Sequence, residues 1–335
     1  MGKKKADSVT TIRDVARLAG TGTTAVSRFF SSKGYLAAAT RERIAKVVEA
    51  TGFRLNRNAS LLKSRTNRQL ALIIGGRDRV RAWTTHFFMG EKFIGVVEEA
   101  VAQGWEVLLL PLDPWEQDAA EAELRRQHFA GALLFEPVPE AFTAMLSRWR
   151  IPFVTSNFEM GRGEGRLQFY GEGTHAVVTD YGGIPAVAAS FAASRGYAGV
   201  AFSPGWYPMV HDFDRLVGKA AAAHGLVDLR EPFAAALQDR KAPEPSGRLL
   251  LVCDSPEAVQ IAHPWLAPAA GKLGLLAFNN YPQFAALDPQ VSFLYQDGGA
   301  IGRESVRRLL SWIGEEAMAP ASVYLPVTLE DRGSA

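Results

Sequence analysis

Cysteine is almost absent from this sequence, since Cys253 is the one thiol among 335 residues. A lone thiol excludes an intramolecular disulfide framework and a zinc site built from cysteines. No run of about 18 apolar residues occurs, so we expect no membrane span. The basic N-terminal segment MGKKKADSVTT lacks the apolar region of a secretory signal. With 47% apolar residues, an ordinary share for a core-forming protein, the chain is predicted to be soluble and cytoplasmic.

Signatures of catalysis and of metal binding are missing as well. The six histidines form no H-x-x-x-H pair and have no metal-ligand spacing. Neither G-x-S-x-G nor the phosphate-binding loop G-x-x-x-x-G-K-[ST] occurs, and the sequence places no base beside Ser203 in Ser203-Pro204-Gly205. We therefore predict that the chain is not an enzyme and that it holds no metal and no cofactor.

Charge is distributed unevenly along the chain, although the formal net charge is only +2. Residues 1–68 hold 15 lysine and arginine residues against four acidic residues, a net charge of +11. The remaining residues include 22 basic and 31 acidic residues, a net charge of −9. A compact basic head on an acidic body is expected where only the head meets a polyanion. Because the head has a regular residue pattern and is not of low complexity, we favour this interpretation over a solvated basic tail.

Three short helices are predicted in the basic head. The first has apolar residues at i, i+3, i+4 and i+7, namely Ile12, Val15, Ala16 and Ala19. Thr11 can cap its start, and Gly20 can end it in the left-handed conformation. The second repeats the helical period, at Val26, Phe29 and Phe30. A third helix is expected to begin at Thr40 and to end at Gly52.

Residues 20–25, GTGTTA, also match the dinucleotide-binding fingerprint G-x-G-x-x-A. Such a site needs a strand before the first glycine and an acidic residue about 20 residues later. A helical period precedes Gly20 instead, and the region around residue 40 reads Ala-Ala-Ala-Thr-Arg. We interpret the match as accidental and the glycines as a turn between two helices, which is the geometry of a helix-turn-helix.

The second predicted helix carries polar side chains opposite its apolar residues. Thr23, Thr24 and Ser27 have short hydroxyls that can contact phosphates or base edges, although capping and solvation would also explain each of them. Arg28 can donate to guanine or to phosphate. After Gly52 the segment FRLNRNASLLKSRTNRQ is basic with one short helical register, which predicts a linker able to become a helix.

The segments TIRDVARLAG, TTAVSRFF, TRERIAKVVEATGF and NRNASLLKS resemble the DNA-binding head of the lactose-repressor (LacI/GalR) family. The resemblance implies a DNA-binding domain over residues 1–55 and a linker over residues 56–68 that folds into a hinge helix on operator DNA. Leu62 matches a leucine that, in the family, inserts into the minor groove and kinks the DNA. The contacts that the bent DNA allows offset the cost of unstacking a base step. Packing of Leu62 against its own domain is the alternative role. The DNA contacts expected on this basis are Thr11, Thr23, Thr24, Ser27, Arg28, Asn56, Arg57, Ala59 and Leu62.

The head departs from the family pattern at two places. Thr21-Gly22 stands where the family usually has Val-Ser, which removes a hydroxyl cap and a phosphate donor at the start of the recognition helix. Leu55 stands where the family usually has a proline before the hinge. We expect both changes to affect operator affinity and not the fold of the head.

From residue 69 onward, apolar runs alternate with amphipathic segments. Strands are predicted at residues 70–74, 106–110, 131–135, 152–155, 199–202, 249–253 and 273–278. Helices are predicted between most of them, for example at 87–103 and 182–195. This alternation predicts doubly wound parallel sheets, which bind ligands beyond the carboxyl ends of their strands. Residues 69–335 are too many for one such sheet, so we expect two α/β lobes.

The body also resembles the same family, in the segments VVTDYGG, FDRLVGKAAAAHGL, FNN, QVSFLYQDGGAIG and LPVTLEDRG. The resemblance implies a two-lobed fold similar to periplasmic sugar-binding proteins, which binds an effector in the cleft between the lobes and also dimerises. The residues that match cleft positions are Arg77, Phe87, Phe88, Asn157, Arg215, Cys253, Asp254, Asn279 and Gln296. Core packing, a surface charge or a surface loop are the alternative roles for these residues.

Several of these cleft residues differ from the family pattern. Asn157 and Asn279 stand where the family often has aspartate, Cys253 stands where it commonly has asparagine, and Arg77 follows the first strand. Fewer acids and more arginine shift the cleft potential to positive values, which favours an anionic or phosphorylated sugar over a neutral one. The segments LVCDSP and FNNYPQF resemble trehalose-type repressors within the family.

We predict from the sequence a homodimeric DNA-binding transcriptional regulator that acts as a repressor, associates with the nucleoid and responds to a small sugar or sugar phosphate. A sugar-binding receptor without a DNA function is the alternative, and the patterned basic head argues against it. Dimer symmetry implies a pseudo-palindromic operator. No extended leucine-heptad tail follows Gly333, which favours a dimer over a tetramer.

Overall fold

The computed structural model describes residues 12–31, 36–51, 68–75, 87–135, 138–156, 175–206, 212–244, 246–314 and 322–335. The chain divides into two compact units, a head over Met1–Asn67 and a body over Arg68–Ala335. Within the described residues, no helix is both long enough and apolar enough to cross a membrane.

The head has three helices among its described residues: α1 (Ile12–Leu18), α2 (Thr23–Ser31) and α3 (Ala38–Thr51). They enclose a small apolar core of Val15, Ala16, Ala19, Val26 and Ile44. The apolar period of the first two helices therefore predicted the core correctly. The predicted start of α3 at Thr40 was two residues late, because the backbone N–H groups of Thr40 and Arg41 already donate to the carbonyl oxygen of Ala37.

The glycines of the turn between α1 and α2 have distinct structural roles. Gly20 has a φ of +58°, in the left-handed region, and its N–H donates to the carbonyl oxygen of Arg17 while that of Thr21 donates to Ala16. This pair of bonds is the Schellman ending of a helix. The carbonyl oxygen of Gly22 accepts from the N–H groups of Ala25 and Val26, so Gly22 is the N-cap of α2. The two glycines thus form a helix-to-helix turn, as predicted.

The body consists of two lobes, each built on a six-stranded sheet. The strands are β1 (Gln69–Gly75), β2 (Glu106–Leu112), β3 (Gly131–Leu134), β4 (Phe153–Thr155), β5 (His175–Thr179), β6 (Gly199–Phe202), β7 (Val227–Asp228), β8 (Leu249–Cys253), β9 (Leu273–Phe278), β10 (Ser292–Tyr295), β11 (Ser322–Leu325) and β12 (Thr328–Glu330). The helices are α4 (Phe87–Ala102), α5 (Gln117–Leu124), α6 (Glu140–Arg148), α7 (Ile184–Ser194), α8 (Phe213–Ala223), α9 (Arg230–Asp239), α10 (Pro256–Ala262) and α11 (Gly298–Gly314). Short 3₁₀ turns occupy Tyr181–Gly183, Pro204–Trp206, His263–Trp265 and Pro282–Ala286.

The first sheet has the order β11-β5-β4-β3-β1-β2, and the second has the order β12-β10-β9-β8-β6-β7. All neighbouring strands are parallel except β10 and β12, which pair antiparallel. The chain passes between the lobes three times, after β5, after β10 and between β11 and β12. The predicted pair of doubly wound α/β lobes is confirmed.

Helices cover both faces of each sheet. In the first lobe, α4 and α11 pack on one face and α5 and α6 on the other. In the second lobe, α7 and α8 cover one face and α9 and α10 the other. Because both faces of each sheet are covered, the central strands are buried along their whole length, which explains why they read as continuous apolar runs.

Helices α4 and α11 approach each other through glycines. A Cβ atom on Gly95 would lie 2.1 Å from the carbonyl oxygen of Gly299, and one on Gly302 would lie 2.2 Å from the carbonyl oxygen of Lys92. The carboxylate of Glu99 joins the same two helices, because it accepts a hydrogen bond from Arg307 at 2.8 Å. This bond holds the pKa of Glu99 below its usual range. The contact fixes α4 against the lobe and so positions its polar residues.

Candidate functional site

The polar face of α2 is exposed to solvent. Thr23, Thr24, Ser27 and Arg28 are all exposed, whereas Val26 between them is fully buried. Arg28 forms no ion pair with any residue that the structure describes. The hydroxyls and the guanidinium therefore lie on one accessible side of a helix that is held by a glycine turn. The other predicted DNA contacts, Thr11, Asn56, Arg57, Ala59 and Leu62, lie outside the described residues.

The side chain of Gln296 lies where the chain crosses between the lobes. Its carbonyl oxygen accepts hydrogen bonds from the hydroxyls of Thr179 and Tyr181, both at 3.0 Å. Its backbone N–H donates to the side-chain oxygen of Asn279 at 3.2 Å. Burial raises the pKa of the Tyr181 phenol, which keeps this hydroxyl protonated as a donor. Gln296 and Asn279, both predicted cleft residues, are thus brought together in a buried network at the hinge.

Asn279 has an uncommon backbone conformation. Its φ is +66°, in the left-handed region that asparagine tolerates better than most residues. The residue directly follows β9, and only 3% of its surface is exposed. The conformation turns its side-chain oxygen toward the N–H of Gln296. Asn279 therefore helps to hold the crossover between the lobes, in addition to any contact that it makes with a ligand.

Asp254 and Ser203 meet at the carboxyl edge of the second sheet. Asp254 follows β8 and Ser203 follows β6, and these strands are neighbours. The Ser203 hydroxyl donates to the Asp254 carboxylate and accepts from the Asp254 backbone N–H at 2.8 Å. A Cβ atom on Gly205 would overlap the same carboxylate, at 1.6 Å. Ser203, Gly205 and Asp254 are thus packed together at this edge of the sheet.

Cys253, one residue before Asp254, is fully buried. It packs in an apolar cluster with residues of α9, α10 and neighbouring strands. Burial raises the pKa of the Cys253 thiol well above its usual range, and the nearby Asp254 adds to the shift. The thiol is therefore protonated and unreactive. Core packing is the role that the structure gives to this side chain.

Arg215 lies in the first turn of α8 and is exposed. Its guanidinium donates to the carboxylate of Asp212 at 2.9 Å. Close by, Arg230 pairs with Asp214 and with Asp228, the latter at 2.7 Å. A cavity of about 130 Å³ lies beside these groups and is lined by Phe202, Pro204, Asp214, Arg230, Glu231 and Ala234. No sequence pattern pointed to Arg230, because nothing in its spacing links it to Asp214.

Of the predicted aromatic pair at the start of α4, Phe87 is half-buried and Phe88 is buried in the core of the first lobe. The neighbouring Lys92, which the sequence reasoning missed, is fully buried. Lys92 lies on the apolar face of α4, between Phe88 and Val96. A lysine at an apolar position of the helical period was the sequence feature that could have identified it. Arg77 and Asn157 lie outside the described residues.

Glu91 links the two lobes from the same helix. Its Oε1 atom accepts a hydrogen bond from the Tyr295 hydroxyl at 2.8 Å. Its Oε2 atom is buried and has no hydrogen-bond partner among the described residues. Burial raises the pKa of Glu91, and the bond from Tyr295 partly offsets the shift. No cluster of histidine, cysteine and acidic residues suited to a metal ion occurs in the described ranges.

The head is similar to the DNA-binding domain of known proteins. Residues 11–56 match the family described as "Bacterial regulatory proteins, lacI family". The HTH-type transcriptional repressor PurR of Vibrio vulnificus (strain CMCP6) is 32% identical over 99 residues, which cover 30% of this chain and 28% of PurR. The HTH-type transcriptional regulator TreR of Escherichia coli (strain K12) is 27% identical over 150 residues, 43% of this chain and 44% of TreR. The chain thus spans less than half the length of either relative.

The fold is similar along nearly the whole chain to a solved repressor. The structure of the lac repressor dimer bound to operator and the anti-inducer ONPF has a TM-score of 0.73 at 14% identity, over 97% of this chain and 98% of that one. At this identity the likeness concerns the fold, a helix-turn-helix head followed by a two-lobed body of the periplasmic-binding-protein type.

Proposed function

Because the chain carries the DNA-binding head of the lacI family of bacterial regulatory proteins, we propose that it is a sequence-specific transcriptional repressor that acts in the cytoplasm, at the nucleoid. The observation that carries the proposal is the exposed row of Thr23, Thr24, Ser27 and Arg28 on α2. The relatives that match the chain are regulators. We propose no catalytic role for the Ser203–Asp254 pair.

Helix α2 acts as the recognition helix in the major groove. Its short hydroxyls contact phosphates and base edges, and Arg28 donates to guanine or to phosphate. The net charge of +11 over residues 1–68 attracts the head to DNA of any sequence, while the α2 face selects the operator. Leu62 from each copy enters the minor groove between two half-sites, in a hinge helix over residues 56–68 that orders on DNA.

The regulator acts as a homodimer formed by the body. Large apolar side chains are exposed on the outer face of α4 and on the strand and turn that follow it, namely Ile94, Val101, Leu109 and Trp115. Ile94 is 55% and Val101 65% exposed, and they lie seven residues apart on one helix face. Exposed apolar patches of this kind mark protein interfaces. A symmetric dimer presents two heads and therefore reads a pseudo-palindromic operator.

The effector is a small sugar or sugar phosphate bound between the lobes. Ser203, Asp254 and Asn279 all follow strands at the carboxyl edge of the second sheet, where parallel sheets bind ligands. Amide and hydroxyl groups both donate and accept, which suits a ligand rich in hydroxyls. Ligand binding changes the orientation of the two lobes about the Gln296 crossover. Because the ligand binds one arrangement of the lobes more tightly than the other, it changes the affinity of the protein for DNA.

The proposal is tested by selecting duplexes from a random pool with the full chain and then measuring binding to the recovered duplex by fluorescence anisotropy. We expect Arg28→Ala to weaken binding roughly 5- to 150-fold, the loss of one base contact. Arg148→Ala is the matched control, because Arg148 is an exposed arginine of the body. Enrichment of no sequence, or equal weakening by both variants, would refute the proposed function.

A further inference from the structure

A cavity of about 500 Å³ opens beside the edge strand of the first sheet. It lies between β2 and α5, and we call it the β2–α5 cavity. Leu110, Leu112 and Ala120 line it and are buried, so its floor is apolar. Glu116 and Ala119 line it and are exposed, so they lie at its mouth. The cavity is therefore suited to an apolar group that enters from outside the chain.

The carboxylate of Glu116 is a free hydrogen-bond acceptor at this mouth. It accepts from no side chain and pairs with no cation among the residues that the structure describes. The neighbouring acids are engaged within the chain, because Asp113 accepts the backbone N–H of Trp115 at 2.9 Å and Glu123 accepts from Arg126 at 2.6 Å. A group that carries one N–H donor into the cavity would find its acceptor in Glu116.

Trp115 has this chemistry and lies in the loop that borders the cavity. It is 59% exposed, although tryptophan is on average largely buried. Its ring contacts no aromatic ring and no cation in the described part of the chain, and it does not line the cavity of its own chain. An indole combines a large apolar ring with one N–H donor, and tryptophan is enriched among the residues that dominate protein interfaces. The ring is thus available to a second molecule.

The position of Trp115 favours a second copy of this chain as that molecule. Leu109 and Val101, on the surface that we propose for the dimer, are exposed like Trp115. In a two-fold dimer the same patch of both copies meets, so each contact occurs twice. Asp113 and Glu116, on either side of Trp115, both line the cavity. A two-fold axis beside this loop therefore brings each Trp115 to the cavity of the other copy.

We propose that the two copies of the dimer exchange Trp115, so that the β2–α5 cavity of each copy is filled by Trp115 of the partner subunit. The indole ring packs on the apolar floor, and its N–H donates to Glu116. A cavity of about 500 Å³ is large enough for this ring. The inference rests on the proposed homodimer and identifies the contact that holds it, since each cavity is incomplete without the second copy.

Sedimentation equilibrium of the full chain over a series of concentrations measures the dissociation constant of the dimer. Trp115→Ala removes the ring, and Ala119→Phe closes the mouth of the cavity. We expect each variant to raise the dissociation constant about 30-fold or more, as for an interface hot spot. Ala122→Phe is the matched control, because Ala122 is exposed on the same helix but does not line the cavity. Its dissociation constant should not change.

Variants of Glu116 test the acceptor. Glu116→Ala should raise the dissociation constant several-fold, because the indole N–H loses its partner. Glu116→Gln keeps an acceptor oxygen and should recover most of the affinity. Val227→Ala removes an exposed apolar side chain from the second lobe and should have no effect.

A mixture of Trp115→Ala and Ala119→Phe tests whether the contact is made between copies. In a mixed pair, Trp115 of the Ala119→Phe copy meets the open cavity of the Trp115→Ala copy, so one of the two contacts is restored. We expect the mixture to dimerise more tightly than either variant alone. The double variant should be no weaker than the single ones, because both changes remove the same contact.

The proposal is overturned if the parental chain forms no dimer, if Trp115→Ala or Ala119→Phe keeps the parental dissociation constant, or if the mixture dimerises no more tightly than its components. Parental affinity in both variants would mean that another occupant fills the cavity. Weakening by Ala122→Phe equal to that by Ala119→Phe would also overturn it, since the cavity would then not be the site of contact.

Failure of this inference is distinguishable from failure of the proposed function, because sedimentation requires no DNA. A protein that binds the selected duplex but dimerises equally well without Trp115 lacks the exchange and remains a DNA-binding protein. A protein that selects no duplex but loses its dimer in both variants, and regains it in the mixture, has the exchange and is not a repressor.

Discussion

Thr179 donates a hydrogen bond of 3.0 Å to the side-chain carbonyl oxygen of Gln296, and this bond joins two of the three crossovers between the lobes. Tyr181 donates to the same oxygen at 3.0 Å. The backbone N–H of Asp180 donates to the carbonyl oxygen of Leu325 at 2.8 Å, which joins the first crossover to the third. All three connections are therefore tied together by hydrogen bonds at one hinge.

Replacing Gln296 by alanine removes the acceptor of two hydroxyl donors in this buried hinge. We expect Gln296→Ala to lower the free energy of unfolding of the body by about 1–3 kcal/mol, the cost of unsatisfied buried polar groups. Urea unfolding measures the change. Gln283→Ala, at an exposed position of a 3₁₀ turn, is the control and should stay within about 0.5 kcal/mol of the parental protein. Equal stability of the two variants would show that the hinge bonds contribute nothing.

The glycine contact between α4 and α11 predicts opposite outcomes for two substitutions on one helix. Gly95→Ala places a methyl group against the backbone of Gly299 and should destabilise the body by about 1–3 kcal/mol or more. A methyl group at Gly90 meets nothing within 4 Å, so Gly90→Ala should stabilise the helix by up to about 1 kcal/mol. Thermal unfolding of both variants checks the prediction, which fails if they shift the melting temperature in the same direction.

Glu91 predicts a pH dependence of stability. Because burial raises the folded-state pKa of Glu91 above its ordinary value of 4.5, folding favours the protonated carboxyl. The contribution of Glu91 to the free energy of unfolding is fully present below pH 4.5 and is lost as the pH rises through the raised pKa. Glu91→Gln keeps an acceptor for Tyr295 but does not titrate. We therefore expect its stability relative to the parental protein to increase as the pH rises above 4.5.

Urea unfolding of both proteins at a series of pH values measures this difference. Tyr295→Phe is the companion variant, since the bond from Tyr295 lowers the pKa of Glu91. Without that bond the folded-state pKa of Glu91 rises further, so the loss of stability that begins at pH 4.5 should extend to higher pH. Parallel pH profiles for the parental protein and Glu91→Gln would contradict the assignment of the titration to Glu91.

We predict that a hydroxyl side chain at Gly22 increases the affinity for operator DNA. It is the N-cap of α2, and a Cβ atom there meets nothing within 4 Å. Gly22→Ser adds a hydroxyl cap worth a few tenths of a kcal/mol, so we expect operator binding to tighten about 2-fold. Gly20→Ser is the matched contrast, because the φ of +58° at Gly20 strains any side chain and should weaken binding. Unchanged or weaker binding by Gly22→Ser in an anisotropy titration would count against the capping argument.

The long apolar strands and the main helices of the body could be predicted from the sequence, and several short strands could not. LALII, GALLF and LLLVC are buried on both faces and therefore read as unbroken apolar runs. The strands β7, β10, β11 and β12 were missed, because they are short and mix polar with apolar residues. β5 was missed too, since its five residues begin with a histidine.

The candidate site was only partly predictable, for a different reason. The partners of Gln296 are 115 and 117 residues away in the chain, so no local pattern reveals its hinge contacts. Lys92 was overlooked because a lysine is expected at the surface, although it lies in the apolar stripe of α4. Arg215 and Cys253 matched cleft positions, but an ion pair with Asp212 and burial in the core are what the structure shows for them.

Binding of the selected duplex as the salt concentration is varied tests the proposed DNA-binding function most directly. The comparison is between the full chain and residues 69–335, which lack the basic head. The full chain should lose roughly 10³- to 10⁵-fold in affinity between about 50 mM and about 200 mM salt if the heads neutralise about 6–10 phosphates. Residues 69–335 should not bind. A salt-independent affinity, or binding of the duplex without the head, would contradict the proposal that this chain is a DNA-binding repressor.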